Sequence, residues 1–567
     1  MKKYFYSIFL IVVVYSFDGF FVYSQIQQLR ERIYVQTDKK LYLSGEQILI
    51  KIFTVDQNLI PLDFSKVAYI ELVSESNSNQ QIMVELKNGI GSGIIVLPVD
   101  LPSGYYRLIA YTQFMRNEVP IVFFEKNIAV INTFQSEYNI VEKETKGYSK
   151  DIEGLEIVKE KDKRISLHTD ETIYTKRTCG ELILDGLPEN IHTLSVSIVG
   201  NNLISYYESN ESLFLKNQTK EIKDFTSKFL PEYEGHIVIG KIIDNQTEKI
   251  SHQPSLESAI GFPGEEIRFF AGKNRDEGEI NFFTTGISGT KEIATVVYNA
   301  GDKYRIDIQS PYVSQYSKKT MPKLNISKEE HNDLLARSVA LQVYRYFYED
   351  SPENQKISNS YFKMEPSFSY LLDEYTRFTT MREVFIEFID GARFRKRGGK
   401  QELSVLTNKR GDFAYGTIPL VMLDGVPIKD HDDIFNYDPL KVEKIDIFMG
   451  TYSMGGYMFD GIVKLTTYSK KHEDMNLSKS SQILSYEGPQ LQYNFQTPDY
   501  SKEINRESQI PDTRHTLLWK PDIKTNGNTN IIIPFNTSDL TGEFQVIVEG
   551  ITTKGQFFSE TTYFIVQ

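Results

Sequence analysis

Between Pro419 and Tyr468 the chain reads PLVMLDGVPIKDHDDIFNYDPLKVEKIDIFMGTYSMGGYMFDGIVKLTTY, and its punctuation leaves few ways to fold. The apolar run Leu420 to Leu423 is bounded by Pro419 and by the turn dipeptide Asp424-Gly425, which predicts a short buried strand. A short acidic, helix-like segment follows. Asp438-Pro439 starts another helical turn with a fixed φ, and Ile445, Ile447 and Met449 then alternate along a half-buried strand that should end at Gly450. Gly455-Gly456 and Gly461 punctuate a last strand, Ile462 to Thr467. The stretch is therefore expected to be a small α+β unit held together by tight turns.

The rest of the chain reads as β structure. Its 567 residues exceed what one hydrophobic core supports, so several domains are expected. Val, Ile, Tyr and Phe are plentiful, and turn signals recur at strand-length spacing. IYVQTDKKLYLSGEQI precedes an alternating strand, Gln47 to Phe53, in which Gln47 and Lys51 are expected on a mostly solvated face. The later segment HTDETIYTKRTCGELIL echoes QTDKKLYLSGEQILI at similar spacing, which suggests an internal repeat. Leu194 to Gly200 alternates as another strand. Near the chain's end, Arg514 to Ile523 and the run from Gly542 supply hairpin-like strands, with Phe544, Val546 and Val548 on one face.

Two family resemblances fit these residues. The motif Thr37, Asp38, Lys39, Tyr42, Gly45 and Glu46, with LPSGYYRLIAYTQFMRN downstream, resembles the macroglobulin-like β-sandwich of α2-macroglobulin relatives. There Tyr42, Gly45 and Glu46 are expected to be structural: Gly45 permits a turn and Glu46 is solvated. The Pro419 to Tyr468 stretch is similar to the plug domain of TonB-dependent outer-membrane receptors of Bacteroidota. That family encloses its plug in a barrel of many strands of about 9–11 residues. Ser469 to Gln567 reads as a polar run and a sandwich instead, so a plug without its own pore is expected.

The expected architecture is mainly β: tandem macroglobulin/Ig-like antiparallel sandwiches, a small α+β plug-like domain with preceding helices, and a C-terminal β-sandwich. Residues 1–24, with Lys2, Lys3, an apolar segment and Ser24, have the order of a secretory signal without a lipidation cysteine. The expected boundaries are then 25–132 for the macroglobulin-like sandwich, 133–164 for a polar linker and 165–235 for a second sandwich. They continue with 236–314 for a third, carboxypeptidase-regulatory-like sandwich and 320–374 for a helical connector. The plug-like domain takes 375–468 and the last sandwich 485–567. In the connector, a Ser327 to Glu330 capping box should open a helix with a buried stripe of Leu334, Leu335, Val339, Val343 and Phe347. A second amphipathic stretch, Leu371 to Phe388, should dock the plug-like domain on the sandwiches through Tyr375, Phe378, Met381, Phe385 and Phe388.

Little in the sequence points to catalysis. The net charge of −13 argues against nucleic acid as a partner. Cys179-Gly180-Glu181-Leu182 has Leu182 where the thioester motif of α2-macroglobulin has a glutamine, so Cys179 is read as a small buried hydrophobe. The eight histidines form no zinc pattern. Asp430-His431-Asp432-Asp433 is dense in metal-capable groups, but aspartates after a turn more often cap a helix. The spacing around Ser453 is wrong for a nucleophile elbow. The basic cluster Arg393, Arg395, Lys396, Arg397 and Lys400 is read as a solvated turn.

No catalytic residue, cofactor or metal is therefore assigned. The expected function is that of a non-enzymatic exported envelope protein, periplasmic or outer-membrane associated, peripheral to the membrane and acting through a protein partner. The resemblance implies an outer-membrane barrel as a candidate, met through Asp424, Gly425, Pro427, Asp430, Asp432 and Gly461. The alternative is a polymer- or protease-directed enzyme or inhibitor of macroglobulin type without a thioester.

Overall fold

A computed structural model describes residues 29–75, 77–119, 122–135, 139–141, 165–200, 210–218, 224–253, 256–264, 266–275, 278–298, 301–316, 318–321, 324–348, 364–406, 418–471, 480–491, 493 and 495–567. The expected signal segment 1–24 and most of the 133–164 linker lie outside them. Strands take 48% of the chain and helix 11%, so the protein is mainly β with several sandwich-like sheets. Two compact units divide it. The first holds residues 1–233, 313–357 and 489–567, and the second holds 234–312 and 358–488.

The first unit contains two sandwiches. In one, a three-stranded sheet pairs Gln47–Val55 with Arg32–Thr37 and Ile90–Val96, opposite a five-stranded sheet built on Val67–Val73, Gly104–Tyr111 and Phe124–Ile131. The strand Gln47–Val55 is buried along its whole length except at Gln47. Lys51 was expected on a solvated face, yet it is buried, and burial pushes its amine down to about 7. The cause is the second sandwich, which covers that face: the Ser195 hydroxyl donates to Gln36 Oε1, and Tyr34 OH donates to Glu549 Oε2 at 3.2 Å.

That second sandwich corrects the expected boundaries. Cys179–Asp185 pairs with Ser166–Thr169 on one side and with Ile531–Asn536 on the other. Ile191–Gly200 lies between Thr516–Lys520 and Gly542–Thr552, which in turn pairs with Phe557–Val566. Residues 165–200 and 514–567 thus form one sandwich, not a second and a separate C-terminal one. Period-two alternation identifies a strand but not its neighbour. Closing a very long intervening segment costs little more than closing a shorter one, because loop entropy grows only logarithmically.

In the second unit a continuous seven-stranded run ends on Thr290–Val297 and Ser481–Glu487. The expected 236–314 sandwich therefore recruits a strand from beyond the α+β module. That module is a five-stranded mixed sheet. Val442–Met454 and Tyr457–Thr467 form its central hairpin, and Leu420–Leu423 runs parallel to the latter strand. Phe368–Leu371, expected in the helical connector, is its edge strand. The strand expected to stop at Gly450 passes through an irregularity there and continues to Met454, and Gly455-Gly456, both at positive φ, turn the chain. Tyr370, Met381, Val384 and Phe385 pack with Ile445, Ile447 and Leu465 in a core that also takes in Ala294 and, at its margin, Ile483 from the sandwich strands. Phe378 and Phe388 pack against the same core, Tyr375 is exposed, and only Met381–Glu387 of the stretch forms an α-helix.

Candidate interaction site

The macroglobulin-motif residues build a clamp. The Thr37 hydroxyl donates to Lys39 O at 2.6 Å, the Tyr42 hydroxyl donates to Asp38 Oδ1 at 2.6 Å, and Leu49 N donates to the same oxygen at 3.1 Å. Gly45 turns the chain at φ 89°, which its lack of a Cβ permits. Glu46, expected to be solvated, is buried instead. Arg337 Nε and Nη2 reach its two oxygens at 2.9 and 2.6 Å, and Lys39 Nζ lies at 3.1 Å. Burial alone would raise its pKa, but the Arg337 and Lys39 charges overcome that and hold the carboxyl at about 2.

Arg337 was not singled out from the sequence, because an apolar stripe was expected on its helix, Lys328–Tyr348. In the structure Leu335, Val339 and Phe347 are exposed, while Leu334, Arg337, Ser338 and Ala340 are buried. The buried face thus runs through Leu334, Arg337, Ser338 and Ala340 and not along the expected stripe, and the buried Arg337 guanidinium is satisfied by the Glu46 carboxylate.

The plug-motif residues are mostly inward. Asp424 and Gly425 take φ 49° and 82° in a two-residue turn closed by the Leu423 and Val426 pair. The Asp424 carboxylate accepts Thr467 N at 2.8 Å and Thr467 Oγ1 at 2.6 Å. A Cβ on Gly425 would stand 2.4 Å from Phe262 O, and one on Gly261 would stand 2.4 Å from Pro427 Cδ. Gly461 is sealed in the same way, with a virtual Cβ 2.5 Å from Val405. Asp424, Gly425, Pro427 and Gly461 are therefore buried and cannot form the expected partner-contact surface.

Asp430 and Asp432 are half-buried. Asp430 caps the helix His431–Phe435 by accepting Asp432 N at 3.1 Å, and it pairs with Lys400. Asp432 accepts Gln401 N at 2.8 Å. The buried His431 ring accepts Leu403 N at 3.0 Å through Nδ1, and burial pushes it down to about 4. The cluster thus knits a helix to the hairpin Ala392–Arg397 and Lys400–Val405.

Cys179 is exposed, contrary to the reading as a buried hydrophobe, and its thiol donates to Asn536 Oδ1 at 3.0 Å. Position 179 begins its strand next to the edge of the core, whereas Leu182 three residues on is fully buried.

The surface that sequence reasoning missed is a groove of about 1070 Å³ in the second unit. One wall is the segment Glu266–Lys273, with Phe269 and Phe270. The other comprises Lys444, Asp446 and Phe448 on one strand and Lys464 and Thr466 on the next. These are the even-numbered positions opposite the Ile445 and Ile447 face, a period-two signal available in the sequence. Met364, Pro366 and Met454 add apolar surface. Five cations face three carboxylates, Glu266, Glu443 and Asp446, so the groove is amphipathic with a net positive lining.

No protein-family model matches the chain. Among solved structures it is similar to the alpha-2-macroglobulin of Salmonella, at 9% identity and a TM-score of 0.24 over 94% of this chain and 39% of that one. It is also similar to Escherichia coli alpha-2-macroglobulin activated by porcine elastase, at 10% identity and a TM-score of 0.25, covering 95% and 44%. The native conformation of the E. coli protein matches at 10% and 0.23, covering 95% and 40%. The chain spans about two fifths of the length of these proteins.

Proposed function

We propose that the protein is a non-enzymatic, exported envelope protein that works by binding another protein at the bacterial outer membrane, through the groove beside its plug-like module. The supporting observation is the groove itself. Its volume is at the upper end of what binding clefts offer, about 300–1,000 Å³, and its lining combines the exposed Phe283 and the half-buried Phe270, Met364 and Met454 with cations. That surface suits an extended or looped polypeptide carrying acidic and apolar side chains. An outer-membrane barrel, the partner implied by the plug resemblance, is the candidate.

The test is site-specific photo-crosslinking from position 454 in cell envelopes, followed by identification of the adduct. An outer-membrane protein should be captured, and K273E combined with K470E should abolish capture while leaving the melting temperature unchanged. Failure to crosslink any envelope protein from position 454 would sink the reading.

A further inference from the structure

The seam between the two sandwiches of the first unit is built on a row of polar side chains. Gln36, Lys51 and Ser92 stand directly opposite one another on three neighbouring strands, so their side chains share one face of the sheet. They are 2%, 1% and 3% exposed. In each a terminal polar atom, Gln36 Nε2, Lys51 Nζ and Ser92 Oγ, is out of solvent and meets no hydrogen-bond partner in the protein. Buried polar groups are nearly always satisfied, so a row of three is a costly way to join two sandwiches.

The second sandwich brings charges toward Lys51 without bonding it. Asp522 is held by Lys524 Nζ at 2.6 Å and by the Thr193 hydroxyl at 2.9 Å. Glu549 accepts from Tyr34 OH and from Asn210 Nδ2, and Lys126 and Lys40 face it from the first sandwich. The Lys126 amine, pushed down to about 8 by burial, donates to Thr37 Oγ1 at 2.8 Å. Burial and the nearby Lys524 keep His192 below its ordinary range. Apolar rings border the seam, with Tyr34 at 5.1 Å from Phe53 and 5.3 Å from Phe557. For Lys51, burial outweighs the pull of Asp522 and Glu549 and pushes the amine down to about 7.

We propose that the seam is a proton-sensitive joint: the two sandwiches are held together around an uncharged Lys51, and a proton taken up by its amine loosens them. When the sandwiches part, Lys51 meets water and returns to its ordinary value of 10.5. Between pH 10.5 and about 7 the parted form then holds a proton that the closed form lacks. Each pH unit lost in that window favours parting about tenfold. Below about 7 both forms carry the proton and the dependence ends.

A thiol placed in the row tests this, because position 92 is buried and reacts only when the seam parts. In the full chain carrying Cys179→Ala and Ser92→Cys, the rate of alkylation by iodoacetamide is divided by that of a cysteine peptide at the same pH. The ratio should rise about tenfold per unit as the pH falls from 9.5 to 7, and level off below 7. Adding Lys51→Met should remove the rise and slow the labelling at pH 7. If Lys51→Met does not fold, Lys51→Gln, uncharged at every pH, decides by the same comparison. A ratio that ignores pH, no labelling at pH 6, the same pH dependence with and without Lys51, or faster labelling at pH 7 once Lys51 is replaced would each overturn the proposal.

Discussion

The turn from Thr37 to Leu49 and the turn from Thr169 to Glu181 are the same device in two settings. In the second, the Thr169 hydroxyl donates to Glu171 O at 2.6 Å, the Tyr174 hydroxyl donates to Asp170 Oδ1 at 2.5 Å, and Glu181 N donates to that oxygen at 2.8 Å. Each contact has its counterpart in the first turn. The short strands that follow, Leu41–Leu43 and Ile173–Tyr174, each pair in parallel with the last strand of their own sandwich.

The copies part at the turn's tip. Where the first has Gly45 and Glu46, the second has Arg177 at φ 51° and Thr178. Arg177 reaches out to Asp539 at 2.7 and 2.6 Å and to the carbonyls of Ser508 and Ile510. Asp38 is fully buried, whereas Asp170 is exposed. Shared local hydrogen bonds specify the turn, and the residues at its tip specify what the turn is tied to. The motif is thus architecture.

The largest expected difference between the copies is at that tip. Glu46→Ala strands a buried guanidinium, a loss of about 3–5 kcal/mol, whereas Arg177→Ala removes a partly exposed pair and should cost about 1 kcal/mol. Urea denaturation of the first unit's transition measures both, and equal losses would break the comparison.

Acid sharpens it. With Glu46 held at about 2 against an ordinary value of 4.5, the unfolded chain takes the proton first. The stabilisation is complete above pH 4.5 and drains away as pH falls toward 2, by about 3 kcal/mol in all. Burial pushes the Asp539 carboxyl of the second tie up, but Arg177 holds it below the ordinary carboxylate range, so Glu46→Gln should remove only the Glu46 share of the unit's acid-dependent loss. A slope unchanged in the variant would assign it elsewhere.

A smaller contrast is expected at the tyrosines. Tyr42→Phe leaves a buried Asp38 short of a donor and should cost about 1–3 kcal/mol, and Tyr174→Phe, beside an exposed Asp170, should cost less than about 1 kcal/mol. The smallest effect is Cys179→Ala, which should shift stability within about 0.5 kcal/mol because the thiol is at the surface. Melting curves of the three variants check the ranking.

What the sequence disclosed follows from the range of the interactions. The repeat was legible because every bond in it spans at most eleven residues, from Asp38 to Leu49 and from Asp170 to Glu181. The Asp424-Gly425 turn was legible for the same reason. Its burial was not, since that depends on Phe262 and Gly264, more than a hundred residues away. The union of residues 165–200 with 514–567 was hidden because alternation marks a face and not a partner. Glu46 was misjudged because its cation arrives from a helix nearly three hundred residues further on. The groove was not legible because the apolar alternation of Ile445 and Ile447 marks only the core face, while the facing wall, Glu266–Lys273, comes from far along the chain.

The central claim is that one turn chemistry serves two ties of different strength, the first sealed by Glu46 and Arg337 and the second by Arg177 and Asp539. A pair of double-mutant cycles tests it directly: Glu46→Gln with Arg337→Met, and Arg177→Met with Asp539→Asn. The account predicts a coupling of about 2–3 kcal/mol for the buried pair and under about 1 kcal/mol for the partly exposed one. Equal couplings, or a negligible one between Glu46 and Arg337, would contradict it.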